Sequence, residues 1–288
     1  MKPVRVGLIG LGTVGQGVIK VLRDNAEEIT RRVGRPVIVT HASARDLKRE
    51  RGVDLSGIEV GSDSMAIARD AEVDVVVELI GGTSPARELI LAAIARGKSV
   101  VTANKALIAS DGNRIFDAAR SAGVAVAFEA AVAGGIPIIK AIREGLAGNR
   151  IDGVAGIING TCNYILTQMT EKGADFAEAL AEAQKLGYAE ADPTFDIEGV
   201  DAAHKLTILA AIAFGIPLSF ESVATEGITR VTAQDIANAK QLGYRIKLLG
   251  IAKRTDSGIE LRVQPTLIPE DKLLAKVDGV LNSVLVKG

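Results

Sequence analysis

A glycine-rich turn between an apolar run and a helical pattern constrains the fold of this chain more than any other feature. The run Val4–Ile9 leads into Gly10-Leu11-Gly12-Thr13-Val14-Gly15, and helical spacing follows. In a strand–turn–helix unit, the first glycine permits a tight turn, the second lets the backbone approach a diphosphate, and the third lets the helix pack closely on the strand. The N–H groups and the dipole at the start of the helix favour an anion. The pattern therefore predicts cofactor contacts from Gly10, Gly12, Thr13, Val14 and Gly15. The alternative is a glycine turn that binds no ligand.

The first half of the chain alternates short apolar runs with helical patterns. Strand–helix repetition of this kind is typical of a parallel sheet that is covered by helices on both faces. The predicted strands cover residues 4–9, 37–40, 73–79, 99–101 and 124–128. The predicted helices cover residues 15–23, 85–96 and 111–122. We therefore predict an α/β fold that begins with a Rossmann-type parallel sheet.

The second half of the chain has a different order of predicted strands and helices. Strand-like runs cover residues 151–158, 245–251, 258–267 and 280–286, the last with no strand after it. Helical patterns cover residues 161–170, 176–186, 200–214 and 232–242. This order predicts an α+β domain that is built on a mixed sheet with helices on one side. A Gly-Gly-Ile-Pro turn places the expected boundary between a dinucleotide-binding domain at 1–135 and a second domain at 136–288.

Composition argues against several classes of function. The formal net charge is -1 and no basic stripe occurs, so nothing predicts a nucleic-acid partner. No apolar run reaches the roughly eighteen residues that are needed to cross a bilayer, so no membrane segment is predicted. The single cysteine, Cys162, cannot form an internal disulfide and suits a reducing cytoplasm.

The residues after the second predicted strand bear on the choice between NAD and NADP. An acidic residue there accepts a hydrogen bond from the ribose of NAD, whereas an arginine can pair with the 2′-phosphate of NADP. The sequence runs His41-Ala42-Ser43-Ala44-Arg45-Asp46-Leu47-Lys48, with no acid at the strand end. We therefore predict that Arg45 gives a preference for NADP. NAD is the alternative cofactor if Arg45 and Lys48 belong to a solvated turn.

Five further motifs, in this order, resemble those of homoserine dehydrogenases. Together with the glycine turn they cover most of residues 4–214, and their combination is far more specific than any one motif alone. They are VTANK at 101–105, EAAVAGGIP at 129–137, NGTCNYIL at 159–166, LGYAEADP at 186–193 and DIEGVDAAHK at 196–205.

Homoserine dehydrogenases interconvert L-homoserine and L-aspartate 4-semialdehyde with NAD(P), in the biosynthesis of threonine, methionine and isoleucine. The resemblance implies that Glu190 holds the amino-acid end of the substrate and that Lys205 gives and takes the proton at the alcohol. It also implies that Lys105 lies near the nicotinamide and the substrate, and Gly187 near the cofactor.

The resemblance also implies a structural sodium ion. Glu129, Val132, Gly134 and Ile136 match a site that is built mostly from backbone carbonyls. A homodimer through the second sheet is implied as well, so residues 136–288 would form a substrate-binding and dimerisation domain.

Asp201 and Lys205 suit the proton transfer that must accompany hydride transfer. They are four positions apart on a predicted helix, so they share one face and Asp201 can hold the ammonium of Lys205. Lys105 could stabilise the alkoxide. The helix continues through residues 206–213, which are apolar nearly all round and favour burial. The alternative is a surface ion pair of little energetic value.

Acidic residues crowd the segment before this helix, namely Glu190, Asp192, Asp196 and Glu198. A carboxylate beside a basic residue suits a zwitterionic amino acid, whose ammonium needs a negative partner. We predict that Glu190 and Asp196 bind the substrate. For all of these acids except Glu190, the alternative is a solvated loop.

Cys162 and the two histidines are given no catalytic role. A nucleophilic thiol would lead to a different reaction, the oxidation of an aldehyde through an acyl intermediate. No histidine lies near Cys162 in the sequence, so we predict a small buried hydrophobe. His41 and His204 are predicted to be structural or rim residues.

Two other functions stay open on the sequence alone. They are another NADP-linked dehydrogenase on the same fold, and a nucleotide-binding sensor without turnover. Homoserine dehydrogenases continue beyond the segment that corresponds to 277–285 into a glycine-rich stretch that flanks the cofactor, and many carry a C-terminal regulatory domain. For residues 1–288 we therefore expect an incomplete cofactor wall and no feedback inhibition by threonine.

Overall fold

Six parallel strands form the sheet of the first of two compact units. The computed structural model describes all of residues 1–288, and the units are Met1–Ala131 and Val132–Gly288. The strands are β1 (Val4–Ile9), β2 (Val37–Ser43), β3 (Glu59–Gly61), β4 (Val75–Glu78), β5 (Ser99–Thr102) and β6 (Val126–Ala127). Their order is β3-β2-β1-β4-β5-β6, and every pairing is parallel. From β1 the chain adds strands first on one side (β2, β3) and then, starting at β4, on the other. Doubly wound sheets bind ligands at this switch point, beyond the carboxyl ends of β1 and β4.

Helices cover both faces of this sheet. They are α1 (Thr13–Asp24), α2 (Ala26–Val33), α3 (Ser64–Arg69), α4 (Ala86–Ala95) and α5 (Lys105–Ala122). Leu8 and Ile9 are both fully buried, and they belong to two different hydrophobic clusters. Because consecutive strand residues point to opposite faces, β1 must have a packed layer on each side. The predicted Rossmann-type sheet is confirmed.

Strand β2 is longer than the sequence pattern predicts. It continues to Ser43 because residues 41–43 pair on one side with β1, after a bulge, and on the other with β3, a short strand that the pattern missed. Sequence reasoning also missed α2 and α3. Helix α2 has only eight residues, most of them polar and none of them buried, and α3 has only six residues.

The sheet of the second unit is mixed. Its strands are β7 (Gly153–Ile157), β8 (Ala224–Thr225), β9 (Tyr244–Thr255), β10 (Gly258–Pro269) and β11 (Ser283–Lys287). The order is β11-β7-β9-β10-β8, and all pairings are antiparallel except that of β10 with β8. The strand predicted at 280–286 is therefore β11, an edge strand beside β7. The predicted mixed sheet is confirmed.

The second unit has six helices, of which α7, α10 and α11 pack on the sheet together with one short helical turn. The helices are α6 (Ile138–Lys140, continued by a π-turn at Ala141–Gly145), α7 (Gly160–Lys172), α8 (Phe176–Lys185), α9 (Thr194–Ile197), α10 (Val200–Phe214) and α11 (Ala233–Gln241). A side chain at Gly250 of β9 would meet Leu206 of α10 at 3.5 Å. The neighbouring Leu249 instead packs with Leu274 and Ala275 of the 3-10 turn Leu273–Lys276. Helix α10 and this turn therefore cover opposite faces of β9.

Buried polar contacts tie residues 277–281 to β9 and α7. Lys247 Nζ donates to the carbonyl of Val277 at 2.7 Å, to Asp278 Oδ1 at 2.9 Å and to Asn163 Oδ1 at 3.0 Å. Lys247 is 2% exposed. Its burial lowers the pKa of the amine, and the hydrogen bond and charge of Asp278 oppose that shift.

None of the helices is both long enough and apolar enough to span a membrane.

Candidate active site

The glycine turn after β1 has the geometry that its three glycines predict. Gly10 has a φ of +105°, and an added Cβ would lie 2.9 Å from the backbone of Leu79. A Cβ on Gly15 would lie 2.1 Å from the carbonyl oxygen of Gly10. The turn therefore needs glycine at the first position for its conformation, and at the third for the close packing of α1 on β1.

The middle glycine faces open space instead. No atom lies within 4 Å of a Cβ added to Gly12, which has an extended backbone. Gly12 is the N-cap of α1 and gives it no side-chain cap, and Thr13 and Val14 are exposed. The first N–H groups of the helix are therefore open to a ligand, and such groups favour an anion.

The end of β2 lies beside this turn. The N–H of Gly10 donates to the carbonyl of Ser43 at 3.2 Å. Arg45, two residues beyond the strand, is exposed. Asp46, the first acid after the strand, has its Oδ1 occupied by the backbone N–H groups of Lys48 and Arg49 at 2.9 and 3.2 Å. An exposed arginine thus follows β2, and the first acid after the strand is engaged by the backbone of its own loop.

Glu78 is a candidate that sequence reasoning missed. Its carboxylate stands at the carboxyl end of β4 and is fully buried. Oε2 accepts from Thr102 Oγ1 at 2.6 Å, and Oε1 accepts from the N–H groups of Ile80 and Gly81 at 2.9 and 3.3 Å. Glu78 therefore fixes the loop that follows β4. An acid that closes an apolar run is the signal that could have found it, since buried charges need partners.

Lys105 is the first residue of α5 and is partly buried. Asn104 caps that helix by accepting from the N–H of Leu107 at 3.1 Å, and its Nδ2 donates to the carbonyl of Gly82 at 2.6 Å. Lys105 is thereby held at the carboxyl end of β5, next to a residue that is tied to the loop after β4.

In the second unit, Asp201 and Lys205 form the ion pair that their spacing predicts. Lys205 Nζ donates to Asp201 Oδ2 at 2.6 Å and to the carbonyl of Ile158 at 2.7 Å. The side chains are 6% and 15% exposed. The surface alternative is therefore wrong. An ammonium has three N–H donors, and these two bonds use only two of them.

Asn159 joins this pair to a second carboxylate. Its Nδ2 donates to Asp196 Oδ1 at 2.7 Å and to Asp201 Oδ2 at 2.8 Å. Thr161 Oγ1 donates to the carbonyl of Tyr188 at 2.7 Å and lies 3.4 Å from Asp196 Oδ2. Asn159 and Thr161 were part of a recognised motif, but sequence reasoning assigned no role to either.

Only Asp196 of the four crowded acids joins the Lys205 network. The carboxylate of Asp192 accepts from the hydroxyl and the N–H of Thr194, and these bonds lower its pKa. Glu190 and Glu198 are exposed, and the side chain of Glu190 makes no hydrogen bond within the chain. Gly187, with a φ of +76°, is exposed just after α8. Glu190 is thus open to a ligand, but the chain itself does not bring it to Lys205.

Cys162 is fully buried, as predicted. Its Sγ donates to the carbonyl of Asp196 at 3.1 Å. Burial raises the pKa of the thiol well above its ordinary range, and the charges of Asp196 and Asp201 add to that shift. A thiol in this setting is a poor nucleophile.

The two histidines have contacts of their own. His41 is within β2, 3.4 Å from Asp70 and 3.6 Å from Glu59. His204 packs between the rings of Phe195 and Phe220, with centroids 5.4 and 4.3 Å away.

The segment from Glu129 to Ile136 offers backbone oxygens rather than a cluster of acids. No group of three or more His, Cys, Asp or Glu residues in the chain could hold a metal ion. Ala133 is the one residue other than glycine with a positive φ, at 47°. The carbonyl of Ile136 accepts from the N–H of Ile138 at 2.7 Å, and that of Ala133 accepts from the N–H of Ile136 at 2.9 Å. The strained turn at Ala133, between Val132 and Gly134, fits a cation with backbone oxygen ligands.

Comparison with known proteins identifies two matching family profiles. One is described as homoserine dehydrogenase and matches residues 137–288. The other is described as the NAD-binding domain of homoserine dehydrogenase and matches residues 10–129.

Individual relatives agree with these profiles. A homoserine dehydrogenase of Pseudomonas aeruginosa is 62% identical over 288 residues, which are 100% of this chain and 66% of that protein. The chain thus spans slightly less than two thirds of that relative. The crystal structure of a homoserine dehydrogenase from Thiobacillus denitrificans is 63% identical, with a TM-score of 0.98, and covers 100% of this chain and 67% of that one. A hyperthermophilic archaeal homoserine dehydrogenase in complex with NADPH is 27% identical, with a TM-score of 0.83, and covers 99% of this chain and 88% of that one.

Proposed function

Because this chain belongs to the homoserine dehydrogenase family, we propose that it interconverts L-homoserine and L-aspartate 4-semialdehyde with NAD(P). The observation that carries this proposal is the Lys205 ammonium, which two partners hold while one N–H is left over. That N–H is suited to a substrate oxygen whose proton must be given or taken.

The residues of the second unit would divide the work as follows. Lys205 donates the proton to the oxygen when the aldehyde is reduced, and takes it back when the alcohol is oxidised. Asp201 holds the ammonium in place and balances its charge. Glu190 and Asp196 provide carboxylates for the ammonium of the amino-acid substrate, and Glu190 is open to receive it.

The first unit would bind the nucleotide. The diphosphate is proposed to lie against the start of α1, where Gly12 leaves room and Thr13 and Val14 offer N–H groups. Lys105 and Gly187 complete the proposed cofactor contacts, and Lys105 would also stabilise the alkoxide. When bound, the nicotinamide exchanges a hydride with the carbon that carries the substrate oxygen.

The activity can be tested by following NADPH absorbance with L-aspartate 4-semialdehyde. We expect NADPH to be consumed and L-homoserine to accumulate in equal amounts. Binding of NADPH without its oxidation would support a sensor instead. Oxidation with a different small aldehyde only would support another dehydrogenase.

We propose that Arg45 gives a preference for NADP. It is exposed just beyond β2, where a 2′-phosphate would lie, and the first acid after the strand, Asp46, is engaged by the backbone of its own loop. Arg45→Ala should lower kcat/KM for NADPH at least about tenfold, with little change for NADH. Arg35→Ala, at the other end of the same strand, is the matched control. A wild-type preference for NADH would contradict this proposal.

We also propose a structural sodium ion, held by Glu129 and by the backbone of Val132, Gly134 and Ile136. The strained turn at Ala133, which lies between Val132 and Gly134, supports it. Replacing sodium chloride by choline chloride at equal ionic strength should lower Tm, because a ligand of the folded state stabilises it. An identical Tm in both salts would contradict the site.

A homodimer and a cytoplasmic location complete the proposal. Leu285, Ala155 and Ile251 lie side by side on paired strands, and Leu285 is 54% exposed, so this sheet has an apolar row that a second copy could cover. Light scattering should give twice the mass of one chain.

The proposed cytoplasmic location is supported by the cysteine content, since the single buried thiol suits a reducing compartment.

A further inference from the structure

The side-chain amide of Asn159 lies between two carboxylates. Its nitrogen donates one N–H to Asp196 and the other to Asp201. Its oxygen accepts from the N–H of Cys162 at 2.8 Å, so Asn159 is also the N-cap of α7. The residue is 5% exposed. Both of its donors and its acceptor are thus engaged, which fixes the orientation of the amide.

This arrangement brings two negative groups close together. Because one nitrogen contacts both carboxylates, the two oxygens are no further apart than twice a hydrogen-bond length. Like charges at such a distance disfavour each other, whereas hydrogen bonds to the charged form favour it. A neutral amide can donate to both carboxylates and adds no charge of its own.

The carboxylates themselves come from different parts of the chain. Asp201 is in the first turn of α10, where it also accepts from Lys205, whereas Asp196 is in the short helix α9. Asn159 precedes α7, immediately after Ile158, whose carbonyl is the other partner of Lys205. The segment Ile158–Asn159 thus contacts both ends of the Asp201–Lys205 pair.

We propose that Asn159 is a positioning residue for the reaction, and this inference rests on the proposed function. It holds Asp196 and Asp201 in one arrangement and, through Asp201, sets the direction and the charge environment of the Lys205 amine. It does not touch the reacting atoms.

Two variants separate this role from helix capping. Asn159→Ser keeps a good N-cap for α7 but loses the bridging amide. Asn159→Asp keeps the acceptor of the cap and the size of the side chain, but places a third carboxylate between the other two. Asp175→Ser, at the N-cap of α8, is the control for a capping change outside the network.

The first measurement does not depend on turnover. The rate at which acetic anhydride acylates Lys205 is followed against pH by mass spectrometry, with the exposed Lys272 as an internal control. In Asn159→Asp, the added negative charge favours the ammonium, so the midpoint for Lys205 should move to higher pH while that for Lys272 stays in place. An unmoved midpoint for Lys205 in a folded variant would overturn the proposal.

The second measurement is kinetic. Asn159→Ser should lower kcat at least about tenfold while the Kd for NADPH stays near that of wild type, and the two buried carboxylates that lose a donor should also lower Tm. In Asn159→Asp, the pH profile of kcat/KM for homoserine oxidation should shift to higher pH. A loss of stability with an unshifted profile would show a structural role only. Wild-type protein that turns over neither substrate would refute the proposed function, and the acylation result would still decide the role of Asn159 in the network.

Discussion

Asp201 and Lys205 show what sequence spacing can say about a single residue. Their separation of four positions predicts a shared helix face, and in the structure Lys205 Nζ lies 2.6 Å from Asp201 Oδ2. The other partners in the network lie 42 and 47 positions away along the chain, in Asn159 and Ile158. No local pattern reports such partners, because the packing of α10 against β7, which ends just before Ile158, brings them in.

Cys162 provides a test of reactivity at this scale. Since burial keeps its thiol protonated near neutral pH, native protein should react with iodoacetamide at least about a hundredfold more slowly than protein in guanidinium chloride. Mass spectrometry of the alkylated peptide measures both rates. Native protein should keep its activity during treatment with iodoacetamide. Rapid inactivation that substrate prevents would show that Cys162 acts as a nucleophile.

At the scale of elements, the geometry of the turn between β1 and α1 predicts a different effect for the substitution of each glycine. Gly12→Ala should fold and melt as wild type does, because its Cβ meets nothing, but it should bind NADPH at least about tenfold more weakly because the methyl occupies the ligand's space. Gly15→Ala should lose about 3 kcal/mol or more of unfolding free energy, because its Cβ would collide with the backbone of Gly10.

Gly17 supplies the control for both substitutions. It lies in the same helix and an added Cβ meets no atom within 4 Å, so Gly17→Ala should keep NADPH affinity and add up to about 1 kcal/mol of stability. Isothermal calorimetry and denaturant melts give the two readouts. Equal NADPH affinity of Gly12→Ala and wild type would refute a diphosphate at this turn.

Elements with weak apolar patterns were the ones that the sequence missed. The parallel strands of the first sheet are continuous apolar runs, so their positions were predictable. The short β3 has no buried residue, and β2 ends three residues later than predicted because both β1 and β3 pair with residues 41–43. Boundaries of this kind depend on a neighbouring strand, which local reasoning cannot supply.

At the scale of the whole molecule, polar contacts between residues far apart in the sequence stabilise the fold, and no sequence motif predicts them. Asp278 links residues 277–281 to Lys247 and Arg245 of β9. Asp278→Asn should cost about 2 kcal/mol of unfolding free energy, because it leaves the buried ammonium of Lys247 without its counter-charge, with partial relief from solvent near Asp278. Asp271→Asn, which removes an exposed ion pair with Lys272, should change stability little.

The same tie predicts a pH dependence. Burial alone would raise the pKa of Asp278, but the hydrogen bond and charge of Lys247 and the charge of Arg245 outweigh it and lower the pKa below its ordinary value. Its stabilisation is therefore present above the unfolded pKa of about 4 and is lost as the pH falls through the folded value. The difference in unfolding free energy between wild type and Asp278→Asn should shrink below pH ~4. A difference that stays constant with pH would contradict the account.

Both sheet types followed from periodicity, and Lys205, Asp201 and Asp196 were predicted as site residues from a motif, from helix spacing and from a cluster of acids. Glu78, Asn159 and Lys247 did not follow, since each acquires its partners only in the folded chain. Polar residues in otherwise apolar surroundings mark such positions but do not name their contacts.

The central claim is that Lys205 transfers the proton in the reaction. It is tested most directly by measuring kcat of Lys205→Ala for L-aspartate 4-semialdehyde reduction together with the Kd for NADPH. The account predicts a fall in kcat of at least about a hundredfold with a nearly unchanged Kd, while Lys272→Ala behaves as wild type. Near-normal turnover of Lys205→Ala would contradict it.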